Sequence, residues 1–212
     1  MNALSTLVIV PHLDDETFSC GGTLLSRKSD VSNVHISIPN YDSDHSLNSD
    51  LTILVFCKGR RDDPQNQHRI TKFKEFCLAV NANYIILNYY DLELYKNPLN
   101  HYIDILQNIF GQYNKYCNKN KSKFEIFTVS ENDLHQEHRL VSHAVKIACR
   151  RYLDSISRIL EFKQPFENFD RSEYEYCFEC PKEKETCCKQ YKEQQPLYYD
   201  IEYYREIYKN VI

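Results

Sequence analysis

Two polar segments of the sequence carry side chains that can ligate a metal ion or transfer protons. Residues 11–16 read PHLDDE, which places one imidazole beside three carboxylates. Residues 131–138 read ENDLHQEH and contribute two further histidines, His135 and His138. Imidazole and carboxylate groups are the side chains that bind catalytic zinc and that act as general acids and bases. Both segments are therefore candidates for a functional site.

Each segment also has a structural explanation when it is taken alone. Asp14, Asp15 and Glu16 could simply start a helix, where caps and the helix dipole favour acidic residues. His135 and His138 lie three residues apart and share one helix face, as surface histidines also can. Two such segments, each directly after a predicted strand, favour a functional site over two unrelated helix starts.

Apolar runs alternate with helical patterns along the chain. Strands are predicted at residues 4–10, Leu51–Cys57, 84–87, Phe124–Val129 and 157–162. Helices are predicted after Gly21-Gly22 and at residues 67–80, 98–110, 135–153 and 197–212. This alternation predicts an α/β fold, a Rossmann-like three-layer sandwich with a mostly parallel sheet and helices on both faces. Ligands bind beyond the carboxyl ends of such strands, so both polar segments are expected at one edge of the sheet.

Together the two segments resemble the motifs of the LmbE-like or PIG-L family of zinc-dependent N-acetyl-sugar deacetylases. The similarity covers PHLDDE at 11–16 with GGTL at 21–24, and NDLHQEHR at 132–139. Weaker similarities extend it through most of the chain. They are Arg69 early in the second predicted helix, Asp91 after the third strand, and residues 191–194, which read YKEQ where the family has Tyr-x-Ser-Gln.

The resemblance implies which residues would hold the metal and perform the reaction. The implied metal ligands are His12, Asp15 and His138, which leave a fourth position open for water. Asp14 is implied as the general base, and His135, preferably protonated, as the group that stabilises developing charge. Zn²⁺ is the implied cofactor, and Fe²⁺ also suits this donor set.

The resemblance further implies Arg69 and Asp91 as substrate-binding residues. Lys72 stands where the family often has glutamate three residues after the arginine, and a register that uses Glu75 fits equally well. Glu137 stands where the family has an aspartate, in the position expected to orient the histidines of the second segment.

Composition excludes several functional classes. The chain has 212 residues, a formal net charge of −4 and no long run of Lys or Arg, so nucleic acid is not expected as its main ligand. No apolar run reaches the roughly 18 residues that a transmembrane helix requires. No Gly-x-Gly-x-x-Gly follows the first strand, which argues against a dinucleotide oxidoreductase. A small-molecule substrate is the expected partner.

The nine cysteines favour a reducing compartment. No signal peptide is recognised before the first predicted strand, so reduced thiols and a cytoplasmic location are the simpler interpretation. Residues 1–212 are expected to form a single deacetylase-like domain, with an insertion at 29–50 and a C-terminal elaboration at 163–212. The sequence leaves the oligomeric state open, and a homo-oligomer is compatible with it.

Three other groups of side chains have alternative interpretations. Four late cysteines could bind a second, structural zinc, although chance clustering is the simpler explanation. Tyrosines in the last predicted helix could stack on a sugar, although helix packing is simpler. Arg60 and Arg61 could bind an anionic substrate group or lie in a solvated loop. The four cysteines are Cys177, Cys180, Cys187 and Cys188, and the tyrosines are Tyr198, Tyr204 and Tyr208.

The sequence therefore predicts a cytoplasmic, metal-dependent hydrolase. It would remove the acetyl group from an N-acetylated amino sugar of N-acetylglucosaminyl type and release acetate and the free amine. The competing hypothesis is a non-catalytic metal-binding or scaffold protein on the same fold. Asp14 argues against that alternative, because a protein that only binds a metal has no need of a general base.

Overall fold

The computed structural model describes residues 4–27, 41–44, 49–162, 176–179, 181–191 and 205–211. The strands are β1 (Ser5–Val10), β2 (Asp42–Asp44), β3 (Leu51–Cys57), β4 (Asn83–Tyr89), β5 (Phe124–Val129), β6 (Ile156–Phe162), β7 (Tyr176–Glu179) and β8 (Arg205–Asn210). The helices are α1 (Asp15–Ser26), α2 (Asn66–Ala79), α3 (Leu99–Asn120), α4 (Gln136–Cys149) and α5 (Glu183–Cys188), with a 3-10 turn at Leu94–Lys96. Among these helices, none has the length and apolarity needed to cross a membrane.

The described strands form one sheet with the order β2-β4-β3-β1-β5-β6-β8-β7. The central strands β4, β3, β1, β5 and β6 run parallel, whereas β2, β8 and β7 pair antiparallel toward the two edges. The chain runs outward from β1 through β3 to β4 and then returns to β5 on the other side of β1. The strand order therefore reverses between β1 and β5, which is the position where open α/β sheets bind ligands.

Helices cover both faces of this sheet. Because crossovers between parallel strands are right-handed, α1 and α2 lie on one face and α3 and α4 on the other. The ring of Phe76 in α2 lies 3.4 Å from the position that a Cβ on Gly21 of α1 would occupy. On the opposite face, α3 packs against α4. The predicted α/β fold is thus confirmed.

Burial on both faces explains why the central strands were readable as apolar runs. Every residue of β1, β3 and β5 is buried, as parallel strands between two helical layers require. The predicted strands Leu51–Cys57 and Phe124–Val129 match the observed ones at both ends. The predicted helix at 67–80 corresponds to α2, whereas α1 already begins at Asp15, so the glycine pair that was expected to precede the first helix lies inside it.

The helix predicted at 197–212 is wrong over residues 205–210, which lie in the described part of this range. Arg205–Asn210 forms β8, which pairs antiparallel with β6 and with β7. Glu206 and Tyr208 are both buried, so this segment has the two-residue period of a strand, and Tyr208 packs against Phe127 rather than along a helix. Pairing with a neighbouring strand outweighed the helical spacing of the apolar residues. Tyr198 and Tyr204 lie outside the described residues.

Three further elements were not predicted from the sequence. Asp42–Asp44 forms β2 at the edge of the sheet beside β4, inside the region predicted as an insertion at 29–50. Tyr176–Glu179 and Glu183–Cys188 form β7 and α5 inside the predicted C-terminal elaboration at 163–212. Short elements of this kind are stabilised by pairing and packing, so the local sequence gives little indication of them.

Glu206 in β8 connects the end of the chain to α1. Its carboxylate forms an ion pair of 2.6 Å with Lys184 of α5, and both side chains are buried. The same carboxylate accepts backbone N–H bonds from Gly22 at 2.5 Å and Thr23 at 2.7 Å. The hydroxyl of Tyr208 lies 2.9 Å from it. Because α1 directly follows the first polar segment, these contacts help to hold that segment in place.

A second buried carboxylate, Glu125, lies near the start of β5. It accepts hydrogen bonds from the hydroxyl of Thr6 at 2.9 Å and from Arg158 at 2.8 Å, and it pairs with Arg27. Burial alone favours the neutral acid, but Arg27 and Arg158 outweigh this effect and hold the pKa of Glu125 below its ordinary value of 4.5. The ionised carboxylate therefore contributes to stability.

We expect Glu125→Gln to lower the free energy of unfolding at pH 7 by about 1.5–3 kcal/mol, because two guanidinium groups lose their counter-charge. Folding lowers the pKa of Glu125, so its contribution is complete above the unfolded pKa of about 4.5 and is lost as the pH falls through the folded value. Urea unfolding of wild type and variant between pH 7 and pH 3 should show the difference shrinking with acidification. A difference that stays constant over this range contradicts the assignment.

Candidate metal centre

The two polar segments meet at the point where the strand order reverses. Residues 11–14 leave the carboxyl end of β1 and lead into α1, whereas residues 130–135 leave β5 and lead into α4. The amide of Cys57, at the end of β3, donates to the carbonyl of Pro11 at 2.8 Å and extends the pairing beyond β1. The rings of His12 and His138 have their centroids 5.2 Å apart. The fold therefore brings the two segments into direct contact.

Three side-chain atoms from these segments form a compact triangle. His12 Nδ1 lies 3.3 Å from Asp15 Oδ2 and 3.2 Å from His138 Nε2, and the Asp15 and His138 atoms are 3.4 Å apart. All three side chains are buried. In a tetrahedral zinc site with bonds of about 2.0–2.1 Å, neighbouring donor atoms are about 3.3 Å apart. The triangle therefore has the dimensions of three corners of a zinc tetrahedron.

Carboxylates behind the two histidines determine which ring nitrogen faces the triangle. His12 Nε2 lies 2.8 Å from Glu137 Oε2, and His138 Nδ1 lies 2.7 Å from Asp133 Oδ2. Because each carboxylate accepts an N–H, the other nitrogen of each neutral ring carries a lone pair. In this neutral state of the rings, two ring lone pairs and an oxygen of Asp15 converge. A cation at this point turns their mutual repulsion into attraction.

The pKa values of His12 and Asp15 also indicate that the triangle favours a positive charge. Burial by itself lowers the pKa of His12, but hydrogen bonds to Asp15 and Glu137 outweigh it and raise the pKa to about 10. Burial raises the pKa of Asp15, whereas His138 and His12 lower it below the ordinary range. A proton and a metal ion compete for such a position. The donor set therefore fits a divalent cation.

Two looser groups of potential ligands surround the same histidine. One joins ring nitrogens of His12, His135 and His138, and the other joins His12, Cys57 and Glu137, in each case within 4.8 Å. His135 uses Nδ1 to accept the backbone amide of Glu137 at 3.2 Å, and Glu137 already accepts three hydrogen bonds. The triangle of His12, Asp15 and His138 is the better site because its three donor atoms lie within 3.4 Å of one another, although Asp15 Oδ2 also accepts the backbone amide of His12 at 3.0 Å.

Asp14 lies beside the triangle without belonging to it. Its backbone, at φ 150° and ψ −26°, adopts a conformation that is uncommon for a residue with a Cβ, and the carboxylate diverges from that of Asp15. Glu16 Oε2 accepts the amide of Asp14 at 3.2 Å. The Asp14 carboxylate accepts a hydrogen bond from Arg69 at 3.2 Å. Burial raises the pKa of Asp14 to about 7, although Arg69 opposes this shift.

Arg69, in the first turn of α2, bridges two carboxylates. Its buried guanidinium donates to Asp14 Oδ2 at 3.2 Å, to Asp91 Oδ2 at 3.3 Å and to the carbonyl of Leu13 at 3.4 Å. Asp91 Oδ1 is buried and has no hydrogen-bond partner among the described residues. Of the two residues expected to bind substrate, Arg69 is thus engaged with protein groups, whereas Asp91 retains an available acceptor oxygen.

His135 differs from the protonated group that the sequence analysis expected. It is the N-cap of α4, and its Nδ1 accepts the amide of Glu137, so its proton lies on Nε2. Burial and the neighbouring rings of His12 and His138 lower its pKa. His135 is therefore a neutral hydrogen-bond donor. Its ring centroid lies 4.8 Å from that of His12, which places it next to the triangle.

Sequence reasoning missed how the supporting carboxylates are distributed. Glu137 was expected to orient the histidines of the second segment, but its side chain contacts His12 of the first segment. Asp133 performs the expected task for His138 and also accepts the amide of His135 at 2.7 Å. The position of Asp133 just before the cap of α4 is the only signal for this role in the sequence.

The late cysteines lie only partly within the described residues. Cys180 and the side chain of Cys177 lie outside them, and so does the second zinc site that these residues could have formed. Cys188 is buried and its thiol faces the carbonyl of Thr17 at 3.8 Å. Burial raises the pKa of Cys188 to about 12, so its thiol stays neutral, which disfavours metal binding.

Two weaker sequence candidates have structural surroundings of their own. Arg61 forms an exposed ion pair with Glu93 at 2.8 Å, in agreement with a solvated loop. Tyr191 is buried against Phe18 of α1, with ring centroids 5.8 Å apart. The rest of the YKEQ segment, residues 192–194, lies outside the described part of the chain.

Comparisons with known proteins agree with this architecture. No curated protein sequence matches the chain. A similar solved structure is that of N,N'-diacetylchitobiose deacetylase from Pyrococcus horikoshii complexed with its inhibitor MPG, with a TM-score of 0.65 and 15% identity over 99% of this chain and 84% of that chain. At this identity the likeness establishes the fold. The profile of the family PIG-L: GlcNAc-PI de-N-acetylase matches residues 7–149, and the chain therefore belongs to the PIG-L, or LmbE-like, family.

Proposed function

We propose that this protein is a metal-dependent hydrolase that removes the acetyl group from an N-acetylated amino sugar of N-acetylglucosaminyl type. The observation that carries this proposal is the triangle of His12, Asp15 and His138 with an unligated carboxylate, Asp14, directly beside it. Membership in a de-N-acetylase family and a fold shared with a diacetylchitobiose deacetylase support the reaction type. The products are acetate and the free amine.

His12, Asp15 and His138 would hold one Zn²⁺ or Fe²⁺ ion. Such an ion polarises an amide carbonyl and lowers the pKa of a water molecule to about 7. Glu137 and Asp133 keep the two ring nitrogens deprotonated and oriented for this task.

Asp14 acts as the general base in this proposal. Its carboxylate is buried and lies 3.2 Å from Arg69, whose charge opposes protonation. A carboxylate with a pKa near neutrality can take a proton from the attacking water and return it in the same turnover. The proton goes to the amine nitrogen as the C–N bond breaks, while the water oxygen stays with the acyl carbon in acetate.

His135 donates a hydrogen bond to the oxygen that becomes negative when the carbonyl is attacked. Its Nε2–H is available because Nδ1 is occupied by the start of α4. A donor fixed by a helix cap needs no reorganisation during the reaction, which is the condition for effective electrostatic stabilisation. A neutral imidazole also avoids placing a second positive charge beside the metal ion.

Arg69 and Asp91 are the proposed substrate-binding residues beside the triangle. The available Oδ1 of Asp91 can accept a hydrogen bond from a sugar hydroxyl, and Arg69 holds the other oxygen. This arrangement suits a neutral polyhydroxylated ligand, because each hydroxyl is a donor that can satisfy a buried carboxylate oxygen.

We propose a cytoplasmic location and a single catalytic domain. The described cysteine side chains are free thiols, as is usual in a reducing compartment. The contacts of Glu206 with α1 and α5 connect the C-terminal elements to the helix that follows the first metal-binding segment. The alternative, a non-catalytic metal-binding or scaffold protein, predicts metal binding without turnover.

The ligand assignment predicts the metal content of two histidine variants on the same helix. Purified wild type should contain about one equivalent of metal, and His138→Ala should lose it because one corner of the triangle is removed. His143→Ala is the control, since His143 is exposed on α4. Metal analysis after dialysis distinguishes the two variants. Equal metal content in wild type and His138→Ala would exclude His138 as a ligand.

The base assignment predicts that Asp14→Asn keeps its metal but loses hydrolysis by about 10²–10⁴-fold in kcat, because the amide cannot accept the proton. Asp104→Asn is the control, as Asp104 is exposed on α3. Metal content and acetate release are measured on the same samples. Near-normal turnover of Asp14→Asn means that another group is the base.

A panel of N-acetylglucosaminyl compounds, assayed for acetate with and without a chelator, tests the reaction itself. We expect release from at least one member and its loss when the metal is removed. A metal-loaded protein that is inactive on the whole panel would support the scaffold alternative.

A further inference from the structure

Glu137 joins three parts of the site through one carboxylate. Its side chain is fully buried, with Oε2 2.8 Å from His12 Nε2 and 3.0 Å from the amide of Leu92, and with Oε1 3.1 Å from the amide of Leu94. His12 is a proposed metal ligand on the loop after β1, whereas Leu92 and Leu94 belong to the loop after β4. One side chain on α4 thus bridges two loops that are separate in sequence.

The loop after β4 depends on this carboxylate. Leu92 has φ 64°, a left-handed conformation that is unfavourable for a leucine, and its side chain is 54% exposed. Burial of the Leu92 side chain therefore contributes little to holding this conformation. Instead, the hydrogen bonds that the amides of Leu92 and Leu94 donate to Glu137 stabilise this conformation.

The same loop carries Asp91 and through it reaches the proposed base. Asp91 Oδ2 accepts a hydrogen bond from Arg69 at 3.3 Å, and Arg69 donates to Asp14 at 3.2 Å. The contacts therefore form a circuit from His12 through Glu137, the loop and Arg69 to Asp14, which lies two residues from His12 in sequence. A change in the contact between Glu137 and His12 therefore affects the hydrogen bonds that Glu137 accepts from the amides of Leu92 and Leu94, and the reverse also holds.

We propose that Glu137 is a positioning residue that couples metal binding at His12 to the ordering of the Asp91 loop. This inference rests on the metal site of the proposed function. A cation on His12 Nδ1 strengthens the donor character of Nε2–H and fixes the ring, which fixes the carboxylate that the Leu92 and Leu94 amides require. By reciprocity, an ordered loop raises the affinity of His12 for the metal. Substrate then meets a preformed Asp91 only in the metal-loaded protein.

The length of the side chain is part of the argument. An aspartate at this position is shorter by one carbon–carbon bond of about 1.5 Å. Hydrogen bonds require donor–acceptor distances of about 2.7–3.2 Å, so the shorter carboxylate cannot keep all three contacts with α4 in its present position. Glutamine has the right length, but its NH₂ group faces donors on both sides.

Amide hydrogen exchange on the full-length protein, with Zn²⁺ added or removed by a chelator, tests the coupling. In wild type we expect Zn²⁺ to slow the exchange of the Leu92 and Leu94 amides by about 5-fold or more. In Glu137→Gln this zinc effect should disappear. The amide of Phe124, which donates to the carbonyl of Ser155 at 3.0 Å at the start of β5, away from this loop, is the internal reference.

Zinc affinity from chelator competition gives a second measurement. Glu137→Gln should bind Zn²⁺ about 10–100-fold more weakly than wild type. Glu161→Gln is the matched control, because Glu161 is also buried and contacts α4 through Ser142 and Lys146 at 2.8 and 2.7 Å, but does not touch His12. Glu137→Asp retains the charge and should keep the fold, but it should lose the zinc-dependent protection of the Leu92 and Leu94 amides. This second variant tests the coupling if Glu137→Gln is unstable.

Two results would overturn the coupling. One is a wild-type protein that binds Zn²⁺ with no change in Leu92 and Leu94 exchange, and the other is an equal zinc effect in wild type and both Glu137 variants. Either result leaves the proposed hydrolase intact. A wild-type protein that binds no Zn²⁺ at all overturns the proposed metal site and the coupling together, so the two failures are distinguishable.

Discussion

The site depends on three buried electron-pair donors that approach one another within 3.4 Å. Such a triangle is unfavourable unless positive charge lies at its centre, and the groups behind it reinforce that requirement. Glu137 and Asp133 take the outward hydrogens of the two rings, which turns the lone pairs inward. The strand reversal between β1 and β5 makes this possible, since it brings together two loops that lie far apart in the sequence.

The charge balance of the site follows from the same constraint. Buried carboxylates are costly unless each has a partner, and here Arg69 serves two of them. Asp15 and Glu137 instead depend on His12, whose pKa they raise to about 10. Each of these two groups therefore pairs two carboxylates with one cationic side chain. A divalent cation at the triangle is compatible with an adjacent carboxylate that can still accept a proton.

Sequence reasoning predicted the parts of the protein that local patterns specify. The central strands were readable because burial on both faces makes them continuously apolar, and the two motifs identified the segments that meet. Features that depend on tertiary contacts could not be predicted from the sequence. Arg205–Asn210 became a strand through pairing with its neighbours, and Glu137 contacts a loop that only folding brings near. The neutral state of His135 follows from its role as a helix cap and from its burial, and the sequence alone reveals neither.

Two adjacent aspartates can have different roles because the backbone separates them. Asp15 begins α1 and faces the triangle, whereas the unusual φ of Asp14 directs its carboxylate to Arg69. Such a conformation persists only where surrounding contacts over-determine it. Glu16 accepts the Asp14 amide, and the carbonyl of Asp14 accepts the amide of Phe18 at 3.0 Å. The contacts of Glu206 with α1 add to this restraint from β8. The end of the chain thus supports the turn on which the proposed chemistry depends.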